Sequence, residues 1–552
     1  MSPSQEPAID SSRLGLRPGV LRNGTDIKRV LVDAGYTQDA LAGTVGLSGP
    51  DERQDVAVIY RRVRADSPYN VLVRLFWLGC PVCEETLRGL VPGLDVDGLV
   101  PTNLLQRRNG DVHSTAKLAP YHDLLLASDF GLEIWGTLHA DHVLGVGAAS
   151  QTLAGMTVRR KVRRALDLGS GAGIQAFLAA SHADLVVGTD ISLRALAFAE
   201  FNARLNGVTN VQWRVGSLYE PVGGEVFDLI VSNPPFVISP ESSFTFRDSG
   251  LPADTLSQQV IQNAVPRLTD GGFASILFNW HHQDDCDWAA RPSEWVADLG
   301  CDALLICFKT TDALTYAADW LRSCLGPGCP EYGDRLDEWA AYYERTGAAR
   351  ISAGAMILRR RNAHSNWFSA RRLGSVRCVG PCGGQIERMF AAEDLLAEVK
   401  DEHQLLHRRF RLGDDHELTH EFRASDGRWM LTRQTLSNRT GIPFSGDLDI
   451  VVAEMLARCD GRNTLDDAIA SAAGRMDLEV EKLQPACLAV VRKLLQSGFL
   501  HPCTADGPRE RDGAEYEISV PACRLWHRGS FGIVMPRCSG RAAVWRQCQE
   551  LP

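Results

Sequence analysis

The sequence contains no long apolar run. Its longest apolar stretch, around Val71 to Leu78, is interrupted by Arg74 and is far too short to span a bilayer. The N-terminal residues MSPSQEPAID also lack the basic segment and apolar core of a secretion signal. We therefore expect a cytoplasmic protein that has no membrane partner.

Cysteines at metal-binding spacing are scarce. The fifteen cysteines are scattered, and only Cys80 and Cys83 form a CxxC pair. No second CxxC and no His-x3-His pair follows Cys80 and Cys83 at the distance found in zinc fingers, and a reducing compartment leaves such cysteines as thiols. We predict buried, inert cysteines and no metal site.

Positive charge is in deficit, with 58 lysines and arginines against 68 aspartates and glutamates and a formal net charge of -10. This balance gives no general electrostatic reason to bind nucleic acid, although it does not forbid such a partner. The 552 residues correspond to about three or four domains. With 45% hydrophobic residues, a wholly disordered chain is excluded.

Changes in residue pattern along the chain predict five segments. Strands alternate with helices in the middle of the chain, which predicts an α/β fold with a parallel sheet covered by helices on both faces. The predicted segments are a flexible leader (1–22), an N-terminal helical domain (23–120), the α/β domain (121–361), a C-terminal α+β domain that is winged-helix-like (362–502) and an atypical or disordered tail (503–552).

Two flanking regions have helical patterns with more than one interpretation. Residues 27–36 and 40–47 fit either a helix-turn-helix or, as we favour, a small packing domain. Near the C-terminus, Thr464 followed by Asp467 resembles a helix start, and Gly498 resembles a helix stop before a strand. We expect this C-terminal unit either to bind a partner or to serve as a scaffold.

The second half of the α/β domain contains apolar runs and one long insertion. The runs 273–280, 303–308 and 353–358 are predicted as strands five to seven. The aromatic residues of the insertion, about 311–348, are expected to form a helical core rather than to contact a substrate. The basic residues around 371 are expected to belong to a linker or domain edge.

A glycine-rich loop stands between a short apolar strand at 165–168 and a helix that begins at Ile174. In the loop, Gly169, Gly171 and Gly173 permit a sharp turn and a close approach of a ligand to the backbone. The first turn of the helix then offers free N–H groups to an electronegative part of that ligand. The pattern is typical of nucleotide-binding folds.

An acidic residue, Asp190, ends the next predicted strand. At this spacing from the glycine loop, a carboxylate accepts hydrogen bonds from ribose hydroxyls in enzymes that use NAD or S-adenosylmethionine (SAM). A dinucleotide fingerprint requires glycine where this chain has Ile174. The pattern therefore favours SAM over NAD.

The apolar strand at 227–232 ends in Asn233-Pro234-Pro235-Phe236. Two prolines cannot continue a central strand, so the chain leaves the sheet as a stiff loop at the edge where α/β folds bind ligands. The Asn233 side-chain oxygen and the Pro234 carbonyl can accept both N–H bonds of a planar NH2 group, and Phe236 can stack on that group. This arrangement favours methyl transfer by positioning and electrostatics.

Taken in order, Asp167-Leu168-Gly169-Ser170-Gly171-Ala172-Gly173, Asp190 and Asn233-Pro234-Pro235-Phe236 resemble class I SAM-dependent methyltransferases of the NPPF/Y N-methylating group. The resemblance covers about 140–361 and implies a Rossmann-like seven-stranded sheet and SAM as the cofactor. It implies catalytic roles for Asn233, Pro234, Pro235 and Phe236. It implies a cofactor site formed by Asp167, Gly169, Ser170, Gly171, Gly173, Asp190, Ile191, Ser217 and Leu218.

Ser217 departs from the pattern of the resembling enzymes, because many of them have an acidic residue near the adenine amine at this point. Their acceptors are glutamine side chains of release factors, guanine N2 or adenine N6 of nucleic acids, and small-molecule amines. The acidic total charge favours a release-factor-like protein partner over RNA, since phosphate contacts require a broad basic face. An N-methyltransferase of an rRNA or other nucleic-acid base remains open as the main alternative, and an NAD-linked oxidoreductase and a non-catalytic binding protein as remote ones.

Overall fold

The computed structural model describes residues 15–46, 55–136, 138–284, 286–325, 328–362, 366–373, 380–413, 416–425 and 427–503. Clustering of contacts divides the chain into two units, residues 1–378 and 379–552. Within the described ranges, no helix is long and apolar enough to cross a membrane. Most of the predicted leader and all but the first residue of the predicted tail lie outside these ranges.

The N-terminal part of the first unit combines short helices with two small sheets. Apolar side chains such as Ile27, Leu31 and Leu41 are buried in one core, which also takes Phe198 and Phe201 from the following α/β part. The sheets have the strand orders β1-β3-β2 and β4-β5. The elements are α1 (Gly24–Asp33), α2 (Gln38–Val45), α3 (Val56–Arg62), α4 (Pro68–Leu72), β1 (Val82–Cys83), α5 (Glu84–Leu90), α6 (Val96–Leu99), β2 (Leu105–Arg108), β3 (Asp111–Ser114), β4 (Lys117–Tyr121), β5 (Leu124–Ser128), α7 (Leu132–Trp135) and α8 (Ala148–Met156).

Two expectations for this part need correction. The helical prediction for 23–120 missed the strands β1 to β4, which are only two to five residues long and so give little periodic signal. Residues 15–22, predicted as part of a flexible leader, are instead packed, because Leu16 and Leu21 are buried and the Arg17 N–H donates to the Thr102 carbonyl at 2.8 Å. Buried leucines hold this segment against the core.

The α/β part contains an eight-stranded sheet of order β13-β11-β12-β10-β9-β6-β7-β8. Strands β6 to β10 run parallel, and β12 is antiparallel to both of its neighbours. The strands predicted as five to seven are confirmed as β10, β11 and β12. The ranges are β6 (Val162–Leu168), β7 (Ala183–Asp190), β8 (Val211–Val215), β9 (Phe227–Ser232), β10 (Leu268–His282), β11 (Cys301–Asp312), β12 (Arg350–Arg360) and β13 (Phe368–Arg372).

The eighth strand, β13, corrects the predicted count of seven and the predicted linker around 371. It pairs in parallel with β11, from Ala303 opposite Phe368 to Cys307 opposite Arg372. Its arginines are tolerated because the strand lies at the sheet edge, where side chains are only partly covered. The first unit therefore extends beyond residue 361.

The carboxyl ends of three parallel strands meet at one edge of the sheet. Leu168 at the end of β6 lies opposite both Thr189 of β7 and Ser232 of β9. The segments that follow these three parallel strands are thus neighbours in space. The helices are α9 (Ile174–Ala180), α10 (Leu193–Asn206), α11 (Thr255–Ala264), α12 (Ala290–Val296), α13 (Ala313–Cys324) and α14 (Tyr332–Thr346).

The long insertion between β11 and β12 is the helical pair α13 and α14. Tyr316, Trp339 and Tyr343 are buried in a common cluster, with Trp320 and Tyr342 packed against it. The prediction of an aromatic helical core is confirmed. The cluster also contains Val237 and Ile238, which directly follow the Asn-Pro-Pro-Phe segment.

The second unit has its own core, formed largely by α15, α16, α17 and α18. The predicted helix start at Thr464 is confirmed as a capping box with Asp467, and Gly498 has φ +72° between α18 and β19. The winged-helix-like comparison remains a prediction. The elements are α15 (Gly383–Glu398), β14 (Arg409–Leu412), β15 (His416–Ser425), β16 (Arg428–Asn438), β17 (Ser445–Asp447), α16 (Ile450–Leu456), β18 (Asp460–Thr464), α17 (Leu465–Met476), α18 (Val480–Gln496) and β19 (Leu500–Cys503).

Candidate functional site

The carboxyl ends of β6, β7 and β9 open into a cavity of about 810 Å³. Ligands of open α/β sheets bind at this edge. The structure brings together three sequence motifs that are separated along the chain. Of the residues proposed from sequence, those that line the cavity are Asp167, Gly169, Ser170, Gly171, Asp190, Ile191, Ser217, Leu218, Asn233, Pro234 and Pro235.

The glycine loop presents its backbone to this cavity. Gly169 and Gly171 have φ of +76° and +55°, a region that side chains rarely adopt, and a Cβ placed at either residue would meet no atom within 4 Å. The N–H groups of Gly169 and Ser170 both donate to the Thr189 carbonyl at 2.9 Å. The loop is therefore held by β7 while its other face stays open to a ligand.

Gly173, in contrast, does not line the cavity. It precedes the first residue of α9, with φ +90°, and a Cβ there would lie 2.7 Å from the Phe177 ring. Its role is to permit the turn into the helix and the close packing of Phe177. It thus contributes to the site by shaping the loop rather than by contact.

Asp190, at the end of β7, is a carboxylate fixed by backbone N–H groups. One oxygen accepts from Gly171 at 2.9 Å and the other from Ser192 at 2.8 Å. Burial raises the pKa of Asp190, and these N–H bonds act in the opposite direction. Each carboxylate oxygen can accept a further hydrogen bond, so the group suits the two hydroxyls of a ribose.

Asp167, at the end of β6, is a nearly fully buried carboxyl group that lines the same cavity. Its Oδ2 accepts from the Ala176 N–H at 3.0 Å. Burial raises the pKa of Asp167 to about 7, and the nearby charge of Asp190 acts in the same direction. A positively charged ligand group in the cavity would favour the ionised form.

The turn after β8 forms another part of the wall through Gly216, Ser217 and Leu218. The Gly216 N–H donates to the Asp190 carbonyl at 3.0 Å, which ties this turn to the end of β7. Leu218 has φ +47°, an uncommon conformation for a branched side chain. Such strained residues are often found at binding sites.

Asn233 begins the rigid segment that leaves β9. The Ser232 hydroxyl donates to the Leu168 carbonyl at 2.8 Å, which fixes the end of β9 against β6. Asn233 is half-buried and lines the cavity, and its side chain makes no hydrogen bond to another residue in the described part of the chain. Its amide is therefore available to a ligand, whereas the buried Pro234 holds the backbone.

Phe236 corrects one expectation. It does not line the cavity but packs against the aromatic cluster of α13 and α14. The reason is that the chain turns after Pro235 and runs beneath the insertion, where Val237 and Ile238 are buried. Among the described residues, the phenylalanine that does line the cavity is Phe246, which no motif in the sequence indicated.

The acceptor loop, defined here as residues 237–254, supplies much of the remaining wall. Inside it, Arg247 is nearly fully buried and pairs with Glu241 and, at 2.8 Å, with Asp248. The Trp339 indole N–H donates to Glu241 at 2.7 Å. The loop residues that line the cavity are Ser242, Thr245, Phe246, Asp248, Ser249, Gly250 and Leu251.

Three tyrosine hydroxyls of the insertion hold the two ends of the acceptor loop. Tyr343 donates to the Ile238 carbonyl at 2.8 Å, and Tyr316 accepts from the Ile238 N–H at 3.2 Å. At the other end, Tyr342 accepts from the Ala253 N–H at 2.7 Å. The aromatic insertion thus positions the loop that follows Asn233 without itself lining the cavity.

The arrangement fits SAM on its donor side. The open glycine backbone, the fixed Asp190 carboxylate and the buried Asp167 suit a ligand that carries a ribose and positive charge. We call this wall (Asp167–Ala172, Asp190–Ser192 and Gly216–Leu218) the donor half. The acceptor half is Asn233–Pro235 with the acceptor loop.

Comparison with known proteins agrees with this geometry. Residues 144–285 match the family described as "Methyltransferase small domain", and two domains of unknown function match residues 33–115 and 387–502. Release factor glutamine methyltransferase of Xylella fastidiosa (strain Temecula1) is 38% identical over 107 residues, which cover 18% of this chain and 39% of that protein.

Two further relatives extend the matched region. Release factor glutamine methyltransferase of Salmonella typhimurium is 32% identical over 181 residues, covering 29% of this chain and 64% of that protein. Ribosomal protein uL3 glutamine methyltransferase of Bradyrhizobium diazoefficiens is 32% identical over 178 residues, covering 29% of this chain and 54% of that protein.

The match therefore spans between 39% and 64% of the length of these relatives. The matched segment of the family contains the whole donor half as well as Asn233 and the acceptor loop. SAM is the cofactor that membership in this family implies. Residues 144–285 are thus the part of this chain that matches the methyltransferase small domain and resembles class I SAM-dependent methyltransferases.

Proposed function

We propose that this protein transfers a methyl group from SAM to the planar NH2 of a glutamine side chain in a translation release factor. The observation that carries the proposal is the meeting of the glycine loop, Asp190 and Asn233 in one cavity. SAM supplies an electrophilic methyl group on its sulfonium. What the chain must supply is a fixed place for both ligands.

The acceptor half suits an amide acceptor. We infer that the Asn233 side-chain oxygen and the Pro234 carbonyl accept the two N–H bonds of the acceptor, which directs the nitrogen toward the donor half. The Asn233 amide has no competing partner among the described residues. The prolines restrict the backbone torsion angles, so the oxygens of this segment stay in place when the acceptor binds. Phe246, rather than Phe236, is the ring that can cover the planar group.

The charge of the cavity wall favours a protein acceptor over a nucleic acid. Among the described residues that line the cavity there is no lysine or arginine, whereas four aspartates are present: Asp141, Asp167, Asp190 and Asp248. A nucleotide acceptor would bring phosphates toward these carboxylates, and phosphate binding normally depends on lysine and arginine. A glutamine side chain brings no negative charge. The three relatives described above are also named for glutamine methylation.

The proposal is tested by incubating the full chain with methyl-labelled SAM and a purified bacterial release factor. We expect label in the protein that survives RNase and appears on a glutamine-containing peptide after digestion. A parallel reaction contains ribosomal RNA in place of the release factor. Label that enters RNA and is lost with RNase would identify a base N-methyltransferase instead, and label in neither acceptor would contradict the proposed substrate.

A further inference from the structure

His142 lies on the segment between α7 and α8 and lines the cavity, although it is only 4% exposed. Its neighbours Asp141, Val143 and Leu144 line the cavity as well. The segment therefore forms a wall of the site. A nearly buried histidine in such a wall is a candidate for proton transfer, provided that its ring is fixed.

Asp129 fixes this wall from behind. Its backbone N–H donates to the Val143 carbonyl at 2.9 Å, and its Oδ2 accepts from the Val143 N–H at 2.7 Å. The Arg194 guanidinium donates to both Asp129 oxygens at 2.6 Å and to the Asp141 carbonyl at 3.0 Å. The carboxylate is thus buried, paired and held in one place.

The His142 ring lies next to this carboxylate, in a residue that lines the cavity. Its Nδ1 is 3.6 Å from Asp129 Oδ2, which is beyond hydrogen-bond distance but close enough for the carboxylate charge to favour a proton on Nδ1. Its ring centroid lies 5.9 Å from that of Phe246. The Thr245 N–H donates to the Ala140 carbonyl at 2.9 Å, so this wall is joined to the acceptor loop.

The proposed reaction needs a group of this kind. When a planar NH2 gains a methyl group, the nitrogen must lose one proton. The Asn233 and Pro234 oxygens accept hydrogen bonds but are too weakly basic to keep a proton at neutral pH. Among the carboxylates of the wall, Asp248 already accepts from Arg247 and Ser239. Asp167 and Asp190 belong to the donor half, whereas His142 lies on the segment that is joined to the acceptor loop, so its imidazole is the base on the acceptor side.

We propose that His142 is a catalytic residue that accepts the acceptor's N–H proton on Nε2, with Asp129 holding Nδ1–H. This proposal rests on the proposed function. The acceptor nitrogen forms its bond to the methyl carbon as the carbon–sulfur bond breaks, sulfur keeps the electron pair, and the N–H proton passes to Nε2. The imidazolium then returns that proton to solvent.

The surrounding charges determine the pH range in which the His142 imidazole can accept a proton. Burial lowers the pKa of His142, and Arg194 and His139 act in the same direction, whereas Asp129 and Glu133 raise it. Asp141 is the other charged residue of this wall segment. The imidazole is therefore neutral at pH 7, and its capacity to accept a proton is lost as the pH falls through a value below its ordinary pKa.

The first test compares His142→Gln and His142→Ala with His139→Gln, a control on the same segment. With release factor and saturating SAM, we expect His142→Gln to lower kcat by about 100-fold or more. The low-pH limb of the kcat profile should disappear, and added imidazole should restore part of the activity of His142→Ala. SAM affinity by calorimetry should change less than about threefold. A kcat within threefold of wild type, or an unchanged pH profile, would overturn the role.

A second measurement does not depend on the acceptor. The ¹⁵N spectrum of the histidine-labelled, SAM-bound protein at pH 7.5 reports the tautomer of His142. We expect a proton on Nδ1 and none on Nε2. A charged imidazolium, or a proton on Nε2, would overturn the proposal even if release factor is not the substrate. Absence of methyl transfer by the wild type would contradict the proposed function alone.

Discussion

The two halves of the cavity are built by different means. The donor half is held by bonds between neighbouring strand ends, such as Gly169 and Ser170 to Thr189, and by one carboxylate, Asp190. The acceptor half depends on side chains of a separate helical insertion, whose tyrosines hold both ends of a long loop. Because the two halves rest on different contacts, we expect that a substitution can weaken binding of the donor without weakening binding of the acceptor, and the reverse.

The largest effect on SAM binding is expected in the donor half. Asp190→Ala removes two charge-assisted hydrogen bonds to the ribose, each contributing about 1.5–3 kcal/mol, so the Kd for SAM should rise about 100-fold or more. Calorimetry measures this directly. Asp184→Ala, an exposed aspartate on the same strand, is the matched control. If Asp190→Ala kept wild-type affinity for SAM, the assignment of Asp190 as the ribose-binding residue would be wrong.

A smaller effect, on the acceptor rather than on SAM, is expected from a substitution in the insertion. Tyr343→Phe removes the hydroxyl that donates to the Ile238 carbonyl, which leaves a buried acceptor unpaired at a cost of about 1–3 kcal/mol. The kcat/KM for the acceptor should fall about tenfold while the Kd for SAM stays within about twofold. Tyr332→Phe, on the same helix, should change neither. A parallel loss of SAM affinity in Tyr343→Phe would show that the two halves are not separable.

The smallest expected effect concerns pH and again belongs to the donor half. Asp167 is neutral below its pKa of about 7 and negative above it. We expect the positive amino group of SAM to require the negative form, so SAM affinity should fall as the pH is lowered. Between about pH 7.5 and 6 the ionised fraction decreases roughly eightfold. In Asp167→Asn this pH dependence should be absent. A SAM affinity that rises on acidification would contradict the assignment.

The donor half was predictable because its residues follow strand ends within short stretches of sequence. The strand ending at Leu168, the glycine turn and the helix starting at Ile174 all appear where the sequence indicates. Parallel strands place their carboxyl ends at one sheet edge, so the sequence pattern suffices to assign Asp190 and Asn233 to the same site. Gly173 is the exception, since its steric role depends on Phe177.

The acceptor half was not predictable beyond Asn233-Pro234-Pro235. The bond between Tyr343 and Ile238 joins residues 105 positions apart, and that between Tyr342 and Ala253 joins residues 89 positions apart. No local sequence pattern indicates that these distant residues will meet, or which side chains of the loop will then face the cavity. For this reason Phe236 was expected in the cavity, where Phe246 lies instead. Likewise, the segment of β13 was interpreted as a linker, because its arginines are not typical of a strand in a sheet core.

The central claim is that Asn233 belongs to the acceptor half and acts on a donor bound by the other half. The most direct measurement is SAM binding by calorimetry together with methyl transfer from labelled SAM, both on Asn233→Ala. We predict a Kd for SAM within about threefold of wild type and a transfer rate lowered by at least about 1000-fold. A variant that binds SAM and still transfers methyl groups at the wild-type rate would contradict the account.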